Sequence, residues 1–252
     1  DSRRAWLTVI AAFFASGVTL GTAYSFGAFF ESMSEEFAAA NGSTALIFGI
    51  TTCLFFSLSI ISGRMSDRFG PRVVLVAGAA ALFIGLIATS RVQSLGLGYV
   101  TYGLGVGIAA ACGYVPMVAV VGGWFEQHRA VAVGLAVAGI GVGTLVMSPV
   151  SAALIDRWGW RDTYVFFAVG GAGVMLACVP LVGRPPGDGS PQPSRFEDAL
   201  RSAVFRRVAL SALALGLALF VPFVFVGQYA KERGMGSVQA AVLVGVLGGS
   251  SV

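Results

Sequence analysis

Gly63-Arg64-Met65-Ser66-Asp67-Arg68-Phe69-Gly70-Pro71-Arg72 packs three arginines and an aspartate into ten residues, between two uncharged runs each long enough to cross a bilayer. Such a stretch reads as a tight, charged turn at a membrane face. Gly70 tolerates positive φ, and Pro71 pushes the residue before it out of helical geometry, so the reversal is expected at that pair. Asp67 falls where a helix ends and can meet the N-terminus of a neighbouring helix, whose dipole favours an anion. The plainer alternative is a topogenic loop whose arginines only keep it in the cytoplasm.

A second copy of the pattern argues for more than topology. Asp156-Arg157-Trp158-Gly159-Trp160-Arg161 repeats the order acid, arginine, aromatic, glycine, any residue, arginine. The first copy follows the second apolar segment and the second copy follows the fifth. Three crossings separate them, which puts them on opposite faces of the membrane. That is the arrangement of an inverted-topology repeat, with which secondary transporters build two gates around one central site. Tyr24 in the first segment and Tyr114 in the fourth fall at nearly the same offset.

The composition requires a membrane protein. Of 252 residues, 56% are hydrophobic and 11% charged, against about 25% charged in soluble domains. Apolar segments occupy residues 6–30, 45–62, 73–89, 95–121, 130–155, 164–182 and 208–229, with an eighth opening at 238. A spanning helix needs about 20 such residues. None of the segments alternates like a strand, and a helix satisfies every backbone group within its own segment, so a helical bundle is expected. The first segment is too long for the apolar part of a secretory signal and should be retained. The chain starts at Asp1 and stops at Val252 inside an apolar run, and is read as part of a longer protein.

Arginine and lysine fix the orientation. With a cytoplasmic N-terminus, eleven basic residues (Arg3, Arg4, Arg64, Arg68, Arg72, Arg129, Arg184, Arg195, Arg201, Arg206 and Arg207) lie inside. Five (Arg91, Arg157, Arg161, Lys231 and Arg233) lie outside, where the first loop carries Glu31, Glu35 and Glu36. The positive-inside rule therefore places the N-terminus in the cytoplasm, and the chain is expected in a bacterial inner (plasma) membrane. The polar, proline-rich stretch over residues 183–207 reads as a cytoplasmic linker between a six-helix bundle, 1–182, and the start of a second, 208–252. Pro116, Pro149 and Pro222 fall inside segments and should bend them. Gly139 and Gly143 form a GxxxG pair that marks close helix packing.

Other chemistries find no support. Cys53, Cys112 and Cys178 lie in apolar segments without metal-ligand spacing, so neither a disulfide framework nor a metal site is expected. The net charge of +4 comes from loop arginines and does not indicate nucleic-acid binding. No Walker motif and no nucleophile–base set is present, so no enzyme activity and no cofactor are expected. A seven-helix photoreceptor would need a lysine within the seventh segment, whereas Lys231 lies at its end. A passive scaffold would not need matched aspartates in two turns.

Gly63, Asp67, Arg68, Gly70 and Arg72 match the GxxxDRxGxR loop between helices 2 and 3 of the major facilitator superfamily. Tyr114-Val115-Pro116, Trp124-Phe125, Arg129, Ala132, Gly134, Ala136, Gly139, Gly143, Pro149 and Gly159-Trp160-Arg161 resemble its monocarboxylate and oxalate:formate transporter branch. The resemblance implies an all-α fold of two six-helix halves with inverted repeats, here the N-terminal half plus helix 7 and a partial helix 8. It also implies rocker-switch alternating access. It gives Asp67, with Arg68 and Arg72, the task of bracing the inner gate against a helix of the second half, and gives an arginine on helix 8 the substrate carboxylate. The acidic-glycine motif that opens helix 1 in animal monocarboxylate transporters is absent, and the first segment has no lysine.

The interiors of segments 1 to 7 hold no acidic or basic side chain, although a carboxylate at the midplane needs a positive partner to offset its desolvation. Tyr24, Tyr114, Thr22, Ser148 and Gln228 are the polar residues expected to line the substrate path. They could orient an anion but not neutralise it. The expected partners are a small organic anion, a coupling proton or counter-anion, and the lipid bilayer. A transporter of the same superfamily for a drug or sugar-like solute is the alternative.

Overall fold

The computed structural model describes residues 2–39, 41–185, 202–204, 206–207, 210–211, 225–227, 229–230 and 233–250. The described residues form helices α1 (Arg3–Tyr24), α2 (Phe26–Glu36), α3 (Asn41–Phe69), α4 (Pro71–Thr89), α5 (Leu95–Gly113), α6 (Val115–Trp124), α7 (Arg129–Cys178) and α8 (Ser237–Ser250). Most of residues 183–207, expected as a linker, most of the seventh segment, Pro222 and Gln228 lie outside them.

Two pairs of helices are single crossings, each interrupted once. Together α1 and α2 make span 1, broken at Ser25, and α5 and α6 make span 4, broken at Tyr114. Pro116 accounts for the second break, since it has no N–H for the Cys112 carbonyl. The Ala111 carbonyl, beside the break, instead accepts the Ser62 hydroxyl at 2.6 Å. Pro149, by contrast, stays within continuous helix.

Helix α7 is two crossings in one. Its 50 residues would reach about 75 Å if straight, more than twice the roughly 30 Å of a bilayer's hydrocarbon. Gly159, at φ 80° and ψ 164°, ends the helical geometry in its middle. The contacts on either side show the chain reversing there. Gly139 and Gly143 meet Phe13 and Gly17 in the same order, so residues 129–158, span 5, run parallel to span 1. Gly78 meets Met175 while Gly171 meets Leu82, so residues 160–178, span 6, run antiparallel to α4. With α3 as span 2 and α4 as span 3, the chain makes six crossings up to Cys178.

The first turn is tighter than expected from sequence. Helix α3 continues to Phe69, so Gly63 through Phe69 form its last two turns and Gly70 alone makes the reversal. One residue suffices because Gly70 takes φ 94° and Pro71 occupies the first position of α4. Arg68 then sits in the last turn of α3, where a cation complements the helix dipole.

Close helix crossings hold the bundle together. Gly139 and Gly143 of span 5 lie directly against the Phe13 and Gly17 backbone of span 1, and Gly85 of span 3 lies directly against Gly105 of span 4. A β-carbon at any of these five glycines would collide with the opposing main chain. Outside, Phe56, Ile60 and Ile61 of span 2, Ile84 of span 3, Val146 of span 5 and Val169 of span 6 are each about half exposed or more. An apolar belt of this extent suits lipid rather than water, and the protein is an integral membrane protein.

Candidate functional site

The two copies of the turn adopt the same backbone on opposite faces of the bundle. Gly70 has φ 94° and ψ 156°, and Gly159 has φ 80° and ψ 164°. Each is followed two residues later by an arginine that ties down the far end of a helix in the other triplet. Arg72, opening span 3, donates from Nε to the Val182 carbonyl at 2.7 Å and from Nη2 to the Pro180 carbonyl at 3.4 Å, just past span 6. Arg161, opening span 6, donates from Nη1 to the Ser90 and Val92 carbonyls, both at 2.9 Å, just past span 3. Terminal carbonyls lack intrahelical partners, and a guanidinium is suited to bridging two of them. The exchange is reciprocal: each triplet of helices caps the last helix of the other.

Sequence reasoning did not anticipate what Arg161 gathers around it. Its Nη2 pairs with Glu36 Oε1, while the indole Nε1 of Trp160 donates to Glu36 Oε2 at 2.6 Å. The guanidinium stacks 4.3 Å above the Trp160 ring. Glu36 was legible only as one of three acids in the first outer loop. On the other face, the Trp124 indole donates to the Gly183 carbonyl at 3.2 Å. The aspartates Asp67 and Asp156 and the arginines Arg68 and Arg157 are exposed, with the Arg68 guanidinium 5.2 Å from the Phe69 ring centroid.

Of the expected path residues, the structure brings Tyr24 and Tyr114 together. Both stand at the helix interruptions, Tyr24 ending α1 and Tyr114 separating α5 from α6. Both pack on the same small cluster of Leu20, Phe55, Ala110 and Ala111. Phe48 lies 6.5 Å from the Tyr24 ring, and Phe55 lies 6.2 Å from Tyr114. A recess beside Tyr24 is lined by Leu20, Phe48, Thr51, Thr52, Phe55 and Ala110.

Thr22 and Ser148 lie apart from this pair, in helix contacts, and Ser148 also lines a recess between spans 1 and 5 and α8. The Thr22 hydroxyl donates to the Val18 carbonyl at 2.7 Å and lies 3.6 Å from Met147 Sδ. The Ser148 hydroxyl donates to the Ala241 carbonyl at 2.9 Å, joining span 5 to α8. Each is 1% exposed. Contacts of Thr144 with Gly248 and of Leu145 with Gly245 continue this seam. Its antiparallel register brings Asp156 level with the start of α8, and Asp156 and Ser237 line one recess together with Glu31 and Glu35. No group of three or more histidine, cysteine, aspartate or glutamate side chains that could hold a metal ion occurs among the described residues.

Comparison with known proteins places this architecture. A family profile described as Major Facilitator Superfamily matches residues 8–252. Monocarboxylate transporter 11 of Mus musculus is 30% identical over 98% of this chain and 56% of its own length. Monocarboxylate transporter 4 of the same species is 30% identical over 98% of this chain and 55% of its own, and monocarboxylate transporter 12 of Xenopus laevis is 28% identical over 98% and 60%. The chain thus spans about half the length of the curated relatives it matches. Among solved structures, the inward-open xylose transporter XylE from E. coli superposes with a TM-score of 0.64 at 16% identity, over 96% of this chain and 66% of that one.

Proposed function

Because this chain belongs to the major facilitator superfamily, we propose that it is the N-terminal half, with the opening of the second, of a secondary active transporter that moves a small carboxylate of the lactate, pyruvate or oxalate kind by rocker-switch alternating access. The observation that carries the mechanism is the pair of matched turns at Gly70 and Gly159, each followed by an arginine that caps the opposite triplet. Such turns make each triplet behave as part of one rigid block, which is what rocking of one half against the other needs. The similarity to monocarboxylate transporters supports the substrate class.

In this reading residues 1–182 form the first bundle, 183–207 the linker and 208–252 the start of the second bundle, with the N-terminus in the cytoplasm of a plasma membrane. Tyr24 and Tyr114 line the path, a reading supported by their place at the breaks in spans 1 and 4 and by the cluster they share. Thr22 and Ser148 shape the helix contacts beside it, and Gln228 is retained as a candidate. Asp67, supported by Arg68 and Arg72, braces the inner face against the second half. The positive partner of the substrate carboxylate comes from the second half, and a proton or a second anion is the coupled species. Reconstitution of the intact transporter in liposomes, with labelled lactate and oxalate and an imposed pH gradient, tests this. Saturable uptake that answers to the gradient or to a trans anion is expected. Selective uptake of a neutral or cationic solute would overturn the substrate class.

A further inference from the structure

The arginine-rich face carries a recess that lies apart from the proposed substrate path. A groove of about 600 Å³ opens between the ends of spans 1, 3, 4 and 6, and its lining includes Arg4, Phe69, Arg72, Val73, Trp124 and Arg184. Three of its described lining residues are arginines, and no carboxylate is among them.

The arrangement of these charges is electrostatically incomplete. Gly70, the N-cap of α4, offers no side-chain cap, and the first turn of α4, which lines the groove, holds no acid to offset the positive end of the dipole. The Arg184 guanidinium lies against this same cap: a β-carbon built on Gly70 would stand 3.0 Å from its Nε and its Nη2. Arg72, one residue into the helix after Pro71, donates Nε and Nη2 to carbonyls and keeps further N–H groups for another acceptor. Cations are stabilised at helix C-termini and disfavoured at N-termini. Two of them gathered at an N-terminus, with a third at Arg4, produce a positive field that an anion would neutralise. The groove is also half apolar, with Phe69 and Val73 exposed by 52% and 49% and the Trp124 ring beside them.

We propose that this groove binds the phosphate of an anionic phospholipid, the diester held by Arg4, Arg72, Arg184 and the start of α4, with an acyl chain along Phe69 and Val73. The proposal rests on the reading that this face is cytoplasmic, where the leaflet is rich in anionic lipid. A soluble phosphate ester shares the charge but not the acyl chain. The acids Asp188, Glu197 and Asp198, outside the described residues, are a source of an anion within the chain itself.

Native mass spectrometry of the intact protein, titrated with phosphatidylglycerol, phosphatidylcholine or glycerol phosphate, separates these sources. Phosphatidylglycerol is expected to be retained over phosphatidylcholine, with its affinity falling about fivefold for each of R4A and R184A. R3A, on the same face but outside the groove, should change it less than about twofold, since its arginine does not converge on the same phosphate. R4A and R184A remove no hydrogen bond to a span end, and thermal unfolding unchanged from the parent verifies their folding. Four outcomes would overturn the proposal: equal retention of the two lipids, an R4A/R184A protein that binds phosphatidylglycerol like the parent, R3A acting as strongly as R184A, or glycerol phosphate binding as tightly as the lipid. Lipid binding that emerges only in D188N/E197Q/D198N would assign the groove to the linker and overturn it too. Failure of the cytoplasmic assignment shows separately, as labelling of R3C by an impermeant maleimide on intact cells.

Discussion

Arg161 ties three parts of the bundle together at one point, and replacing it with alanine tests whether the reciprocal caps stabilise the fold. The substitution removes two bonds to the Ser90 and Val92 carbonyls, both 2.9 Å, the pair with Glu36, and the stacking on Trp160 at 4.3 Å. Bonds from a charged donor contribute about 1.5 kcal/mol each at the low end of their range. The ion pair counts for less, because its side chains are 35% and 42% exposed, and solvent screening limits such a pair to at most about 1 kcal/mol. Water recovers part of what the carbonyls lose, so the net cost is about 3 kcal/mol. For a chain of this size that lowers Tm by roughly 6–12 °C. Lysine keeps the charge but cannot bridge two carbonyls and a carboxylate at once, so R161K should lose about half as much.

The chain carries its own reporter for this experiment. Cys112 and Cys178 are buried, at 6% and 4% exposure, while Cys53 is exposed. In a C53S background a thiol-reactive dye should therefore report the opening of the bundle on heating. R161A melting within about 2 °C of the parent, or R161K melting with the parent, would refute the capping argument.

Three further outcomes follow from the same geometry. G143L places a side chain against the Gly17 main chain, so span 1 and span 5 must separate; overpacking costs at least about 1–3 kcal/mol, and the dye assay should show a lower Tm or no folded protein, whereas normal melting would contradict the crossing. Y24F and Y114F, at the two helix interruptions, are expected to weaken apparent substrate affinity in the intact transporter, while S148A, whose hydroxyl is committed to Ala241, costs about 1 kcal/mol of stability and leaves affinity alone; the reverse pattern would move the path to span 5. D67N should reduce initial uptake rates without reducing the amount of protein in the membrane, and unchanged uptake would remove Asp67 from the inner gate.

The sequence by itself determined the class of the protein and its symmetry. Low charge and apolar segments about 20 residues long leave a helical bundle as the only spanning solution, and the repeated acid-arginine-aromatic-glycine-x-arginine pattern revealed the inverted repeat because the turn is a local event. Gly70 and Gly159 need positive φ for reasons contained in a few neighbouring residues. Even there, locality had a limit: the charged residues before Gly70 looked like a loop, yet backbone hydrogen bonds carry the helix through them to Phe69.

What only the tertiary structure decided is which groups meet across the bundle. The acceptors of Arg72 and Arg161 are backbone carbonyls, invisible in a sequence because every residue has one. Tyr24 and Tyr114 are 90 positions apart, and their shared cluster exists only once spans 1 and 4 are packed. The partners of the Thr22 and Ser148 hydroxyls, Met147 of span 5 and the Ala241 carbonyl of α8, are likewise set by how the helices pack. Polarity is a property of the residue, whereas direction depends on the rotation of each helix within the packed bundle, and that rotation follows from where glycines let main chains touch.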